Sequence, residues 1–415
     1  LFNTKLNNFN NFVNDFNLSK KWDNVKVNAG LYKGVQNISM SWLWNSYLQE
    51  VSDNNARMID VKNASGQSLS PNGLLAYGVP AWGNCCTRNY DTKYDVTAPY
   101  AQIEVNAIDK LSLDFGARYD IGNVTGSFAG GNGQTSAIDM NGNGTIDPNE
   151  QKVATVGNNI TPVNYDYNIF GYSVGANYAI NDKNAVFARI SKGGSASADR
   201  ILFSGYNYTN TDDKALDAVK VNEVKQMEGG YKLRGADYYL NTTVFYANTI
   251  EANYEATTQK KTENNYKSVG LELDGYYRFN KTFEVRGGLT YTNAEIKDAI
   301  DKTIVGNTPR RTPKLMYNLN PNVNLGKVST GFYLIGASKA FAQDNNKLTM
   351  PAYMLVNPYL SYQFTKNLGA SINGNNIFDA IGVTEAEEGS IPANGIVRGR
   401  PLAGRSLSMS IKFDF

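Results

Sequence analysis

The sequence predicts an all-β fold, a transmembrane antiparallel β-barrel with about 15 visible strands and long extracellular loops, and three observations carry that prediction. Segments of ten or more residues alternate apolar and polar side chains, the period of a strand with one apolar and one wet face. Tight turns and long polar connections alternate strictly along the chain, as they do where periplasmic turns are short and external loops are long. The composition suits strands and turns, with 27 tyrosines, 38 glycines and only 12 prolines among 415 residues. No window holds about 18 consecutive apolar residues, so no helical membrane span is expected.

A first pair of strands lies near residues 9 to 33, joined at SKKWD. In APYAQIEVNAIDKLSLDFGARYD, Ile103 and Val105 alternate with Gln102, Glu104 and Asn106. After a turn near Asp109, Leu111, Leu113, Phe115 and Tyr119 share one face. Three more hairpins follow as NIFGYSVGANYAINDKNAVFARI, YKLRGADYYLNTTVFYA and KSVGLELDGYYRFNKTFEVRGGLTYT, the last with Val269, Leu271, Leu273 and Tyr277 on one side and a turn at Asn280 to Thr282. LMYNLNPNVNLGKVSTGFYLIG and MLVNPYLSYQFTKNLGASINGNNIF complete the set of hairpins. The closing GRSLSMSIKFDF alternates without a fault, Leu407, Met409, Ile411, Phe413 and Phe415 against Ser406, Ser408, Ser410, Lys412 and Asp414.

Between the hairpins lie polar connections at 34–95, 121–166, 191–221, 248–265, 293–313, 339–351 and 379–403. A soluble sandwich has no reason to keep all its long loops at one end, and strands of ten residues suit a tilted bilayer crossing better than a soluble sheet. The reading is therefore one β-barrel domain over 1–415, partial in extent, with a large extracellular loop region at 34–95 and a second extracellular loop at 121–166. Single-chain bacterial barrels have even strand numbers with both ends in the periplasm, so fifteen is an incomplete count. No basic-then-apolar start marks a signal peptide, and the first residue is expected to be an internal cut.

The 121–166 loop contains DMNGNGTIDPNE, which has the spacing of an EF-hand calcium loop. Asp139, Asn141, Asn143, Thr145 (through its carbonyl), Asp147 and Glu150 supply hard oxygen ligands at positions 1, 3, 5, 7, 9 and 12, and Gly144 permits the sharp bend. The flanking helices of an EF-hand are missing, so the alternative is a surface loop rich in Asp, Asn and Gly that matches by composition. Bound Ca²⁺ would stiffen an external loop.

Composition also excludes. With 40 basic and 38 acidic residues, nothing draws the surface toward nucleic acid. Histidine is absent, which removes Ser-His-Asp and Cys-His nucleophiles, His-ligated zinc and axial His ligation of haem. The only cysteines are the neighbours Cys85 and Cys86, read as a vicinal disulfide or as two thiols according to compartment. Glu387 and Glu388 lie in a polar loop without a partner to tune them, and no enzyme is expected. Trp42, Trp44 and Tyr47 are read as interfacial anchors before ligand-stacking rings. Arg310 and Arg311 are read as solvated or bonded to wall carboxylates before gripping an anionic siderophore. SKGGSASADR lacks phosphate-loop order and reads as a loop, and AEIKDAIDK as a short helix on a loop.

YKSVGLELDGYYRFNKTFEVRGGLTYTNAEIKD, TPRRTPKLMY, NNIFDAIG and GRPLAGRSLSMSIKFDF together resemble the second half of a TonB-dependent outer-membrane receptor barrel, a likeness covering most of the chain from about residue 96 onward. The resemblance implies a 22-strand barrel of the bacterial, Gram-negative outer membrane, closed by an N-terminal plug. It departs from the pattern in lacking the plug, the TonB box and about seven strands, so those parts are expected to be missing from this chain. The implied function is active, TonB-coupled import of a scarce solute, a ferric siderophore or an oligosaccharide. A passive porin and a calcium-stiffened surface adhesin or scaffold are the alternatives. The implied partners are outer-membrane lipid, the TonB complex through the missing plug, and a small solute whose binding residues are unknown. Lack of histidine argues against a haem receptor.

Overall fold

The computed structural model describes residues 2–44, 88–130, 160–197, 219–255, 260–386 and 399–414, with short pieces of the connections between them, among them 135–137, 139, 143–148 and 153–154. In chain order the strands are β1 (Phe2–Lys21), β2 (Val25–Trp44), β3 (Arg88–Ile108), β4 (Leu111–Gly130), the short β5 (Thr135–Ser136) and β6 (Val153–Ala154), β7 (Thr161–Asn181), β8 (Asn184–Ala196) and β9 (Val221–Arg234). They continue as β10 (Tyr238–Glu255), β11 (Lys260–Arg278), β12 (Phe283–Ala299), β13 (Leu315–Leu325), β14 (Val328–Ala337), the short β15 (Ala340–Phe341) and β16 (Thr349–Met350), β17 (Tyr353–Gln363) and β18 (Leu368–Asn375). The short β19 (Val383–Ala386) and β20 (Gly399–Pro401) precede β21 (Ser406–Phe413). Fifteen of these form one antiparallel sheet in which each strand pairs with its sequence neighbours, while the six short ones pair as three small ribbons in the connections. The expected strand count is borne out.

Register decides which face each side chain takes. Tyr238, Leu240, Val244 and Tyr246 of β10 stand opposite Tyr277, Gly275, Leu271 and Val269 of β11. Those residues in turn oppose Val285, Gly287, Tyr291 and Asn293 of β12. Partners across an antiparallel ladder point the same way, so one face of the wall carries an apolar stretch of nine residues per strand, Tyr238–Tyr246, Val269–Tyr277 and Phe283–Tyr291. About nine to eleven tilted residues cross a bilayer, so the stretch has the length of one crossing. The opposite face carries Glu272, Asp274 and Tyr276 on β11, opposite Thr290, Gly288 and Arg286. The molecule is accordingly inside out by the standard of a soluble protein. Val244 is 55% exposed and Ile190 50%, while the buried set includes Arg88, Thr92, Asn264 and Gln343. A contiguous exposed apolar band of this extent would drive association in water, and lipid is the solvent it fits.

Aromatic rings mark the turn end of the band. Tyr277 meets Phe279 edge-on at 4.6 Å, Phe279 stacks on Phe283 at 5.0 Å, and Tyr362 meets Phe364 at 4.8 Å, all beside tight turns. Leu407, Met409, Ile411 and Phe413 of β21 share the face of Ile372 and Leu368, as their alternation requires. β1 and β21 are the two edges of the sheet. Phe415 lies outside the described residues.

Several boundaries differ from the sequence reading, in one direction. β2 runs on to Trp44, β3 begins at Arg88, β4 reaches Gly130 and β12 reaches Ala299, so strand occupies the margins of the connections at 34–95, 121–166 and 293–313. SKGG and the next two residues belong to β8, and AEIKDA of the expected helix belongs to β12, the only helical turn there being a 3-10 turn at Lys302–Ile304. Above the band β11 is polar on both faces, so hydrogen bonding continues where hydrophobic alternation stops.

Candidate functional site

Inward-facing residues of β10, β11 and β12 above the band line a cavity of about 460 Å³, with Glu251, Thr262, Asn264, Tyr266, Ser268 and Thr292 on its wall. The even positions of β11 put Thr262, Asn264, Tyr266 and Ser268 on the face of Glu272 and Asp274, opposite Val269 and Leu271, so the cavity belongs to the barrel interior at the end that carries the long connections. Asn264 is only 4% exposed and donates through Nδ2 to the Tyr266 hydroxyl at 2.7 Å.

The connection after β12 closes the cavity with Pro309, Arg310, Arg311 and Thr312, and the 338–352 connection adds Asp344. These connections are sewn together. Arg310 N–H donates to Asp344 Oδ1 at 2.8 Å and its guanidinium lies 3.8 Å from Oδ2. Asn346 accepts from Thr308 N–H at 3.0 Å and donates to the Thr308 carbonyl at 2.8 Å. Arg311 N–H donates to the Phe341 carbonyl at 2.7 Å, and its side chain reaches Glu385 Oε1 and the Ala386 carbonyl, both at 2.6 Å. Arg400 shares Glu385 at 3.1 Å. Arg311 and Asn346 hold φ of 59° and 56°, a left-handed backbone that side chains adopt only where surroundings impose it.

Charge balances within this network, three guanidiniums against Asp344, Glu385 and Glu251. The described lining therefore offers hydrogen-bonding groups and shape rather than net charge. One strong donor is left over, since Arg311 Nε is buried with no partner among the described residues. The arginine pair is thus part-buried, and the carboxylates it bonds come from other connections rather than from the wall. Sequence reasoning named the arginines and missed Asp344, Glu385, Asn264 and Tyr266, because nothing local ties them together.

Part of the calcium-like loop is described. Asp139 accepts backbone N–H groups from Asn143 at 3.3 Å and Gly144 at 2.8 Å, Gly144 has φ +83°, and Asn143 Nδ2 donates to Asp147 at 3.0 Å. Asn143 Oδ1 accepts from Thr145 N–H and Oγ1, both at 2.8 Å. The bend thus brings Asp139, Asn143, Thr145 and Asp147 together. Asn141 and Glu150 lie outside the described residues, and among the described residues no three His, Cys, Asp or Glu side chains converge on one point. Cys85, Cys86, Tyr47, Glu387 and Glu388 also lie outside the described residues, as do the side chains of Trp42 and Trp44 at the end of β2.

A family model described as TonB dependent receptor-like, beta-barrel, matches residues 2–377. The rhizobactin receptor of Rhizobium meliloti (strain 1021) is 28% identical over 228 residues, 50% of this chain and 28% of that protein. The ferric yersiniabactin uptake receptor of Yersinia pestis superposes with a TM-score of 0.70 at 15% identity, over 100% of this chain and 55% of that one. The closed form of the ferric-catecholate import receptor of Escherichia coli K12 gives 0.64 at 16%, over 98% and 54%. At such identities the solved structures establish the fold alone. The chain spans about half the length of those solved receptors and 28% of the rhizobactin receptor.

Proposed function

The chain belongs to the TonB-dependent receptor β-barrel family and to the outer membrane, and from that membership we propose that it forms part of an importer for a ferric siderophore. The observation that carries the substrate class is the cavity at the external end of the barrel interior, lined by hydroxyls, an amide, a phenol and the Arg311 Nε–H, which has no acceptor among the described residues. Siderophore complexes present many oxygen acceptors, which such donors match. The relatives named above are described as a rhizobactin receptor, a ferric yersiniabactin uptake receptor and a ferric-catecholate import receptor, which supports the same class. The energy is expected to come through TonB, so uptake should stop when the proton gradient is collapsed.

A thermal-shift panel of ferric rhizobactin, ferric citrate, ferric catecholates and maltooligosaccharides, followed by ⁵⁵Fe uptake, tests the reading. Arg311→Gln should lower uptake of the active siderophore about tenfold, the worth of one hydrogen bond to a charged group. Response to sugar alone would replace the siderophore, and flux graded by solute size and indifferent to the gradient would favour the porin.

We also propose that residues 139–150 bind Ca²⁺, on the support of an Asp139 carboxylate already gathered by two backbone N–H groups around a left-handed Gly144. Calorimetric titration should give a dissociation constant of about 0.1–1 mM, typical of extracellular sites, and Asp139→Ala should abolish it. An unchanged titration in that variant would leave only a polar loop.

A further inference from the structure

The lipid-facing wall has a gap across β9 to β13. Leu233, Leu240, Gly275, Gly287 and Leu319 are consecutive partners across β9 to β13, so two adjacent strands present no side chain between flanking leucines. The result is an apolar notch of about 600 Å³. Its turn-side border is aromatic, with Tyr238 and Tyr277 stacked at 6.4 Å and Phe279 against Tyr277.

Backbone conformation does not demand these glycines, and at Gly275 neither does space, whereas a Cβ on Gly287 would stand only 3.1 Å from the Asn318 carbonyl oxygen and Leu319 Cδ1. Neither has positive φ, and pairing runs unbroken from Tyr266 to Arg278, so there is no bulge. A Cβ on Gly275 would meet nothing closer than 3.6 Å, an ordinary contact. Glycine inside a strand weakens it and often marks where a ligand approaches the backbone closely.

Below the notch, residues 279–282 join the two glycine-bearing strands. Asn280 Oδ1 accepts the N–H groups of Thr282 and Phe283, both at 2.8 Å, which fixes the turn and leaves Lys281 exposed at its tip. Lys281 has no ion pair among the described residues. From Phe283 to Gly287 the strand climbs ~14 Å, or ~10 Å of depth at the usual tilt, less than half of a ~30 Å hydrocarbon core. A lipid whose phosphate met Lys281 would lay its upper methylenes over Phe279 and Tyr277 and its middle methylenes in the notch.

We propose that this notch binds one acyl chain of an anionic phospholipid of the periplasmic leaflet, with the phosphate at Lys281. Native mass spectrometry of the full-length protein in detergent, titrated with phosphatidylglycerol and with diacylglycerol of the same chains, reads both parts. Gly275→Leu should weaken both lipids at least about fivefold, while Lys281→Gln should weaken phosphatidylglycerol and leave diacylglycerol unchanged. Gly229→Leu, outward-facing but outside the notch and with no neighbour closer than 3.4 Å, should bind as the parent does. Leu240→Trp fills the notch from its edge and repeats the test should Gly275→Leu fail to fold. Parent-like binding by the filled variants, equal loss in Gly229→Leu, or a protein dimer that the filled variants abolish would each overturn the proposal.

Discussion

The wall consists of two levels built on one hydrogen-bond ladder. In the lower level, residues such as Val244, Leu271 and Tyr291 are partners on the outer face, and the inner face is polar. In the upper level of β4 and β7 the apolar side changes over. On β4, Phe115, Tyr119 and Ile121 face outward, but a few residues on, Val124 faces inward beside Tyr94 and Tyr165. Val124, Val163 and Tyr165 are at most 2% exposed and form a core with Val219 and Ala252. Outside, the same level carries Lys33 bonded to Asp95, and Glu223 held between Lys192 at 2.6 Å and Lys225 at 3.0 Å. The pairing register does not shift at the change; the solvent does. Below, lipid surrounds the wall, and above, water does, so the dry side moves from the outside to the inside.

A charge placed on the outer face at each level is the strongest way to break that comparison. Leu271→Arg puts a guanidinium in the lipid band, where it costs about 2–4 kcal/mol near the bilayer centre. Asn168→Arg puts the same group on the outer face of β7, beyond Phe170, on an exposed position where the cost falls to about 0–1 kcal/mol. Urea unfolding in lipid vesicles, with heat-modifiable mobility as the assembly readout, should separate the two. Equal costs would mean that the band is not a lipid face.

The two levels also account for what could be read from the sequence. The lower level was legible because a strand between lipid and a polar interior must alternate at period two, as β12 and β21 do. The upper level was not, since Asn248, Lys267 and Glu295 face outward there while Asn264 and Tyr266 face inward, and a segment polar on both faces looks like a loop. The reversal at Val124 hid strand inside the 121–166 connection for the same reason. The cavity was legible only as the pair Arg310 and Arg311. Asp344 lies 34 positions from Arg310, and Ala386, beside Glu385, lies 75 from Arg311; ladders set such distances, not motifs. The calcium-like loop is the reverse case, because its donors are spaced along one short segment.

Two glycines on the inner face of β4 give the smaller and sharper test. Gly116 and Gly122 are six residues apart and point the same way, toward the interior. At Gly116, in the lower level, a Cβ meets nothing within 4 Å. At Gly122, in the upper level, it would lie 2.0 Å from Tyr167 Cζ, because that ring lies across the glycine. Valine at position 122 must therefore lift Tyr167 out of its contact with the buried core, and overpacking of this kind costs about 1–3 kcal/mol. Valine at position 116 should change stability by less than about 0.5 kcal/mol, as substitutions away from packed contacts do. Urea midpoints for the two variants in one detergent give the comparison directly. A Gly122→Val midpoint equal to that of Gly116→Val would show that the upper interior is as open as the lower, and the inversion of the wall would lose its inner half.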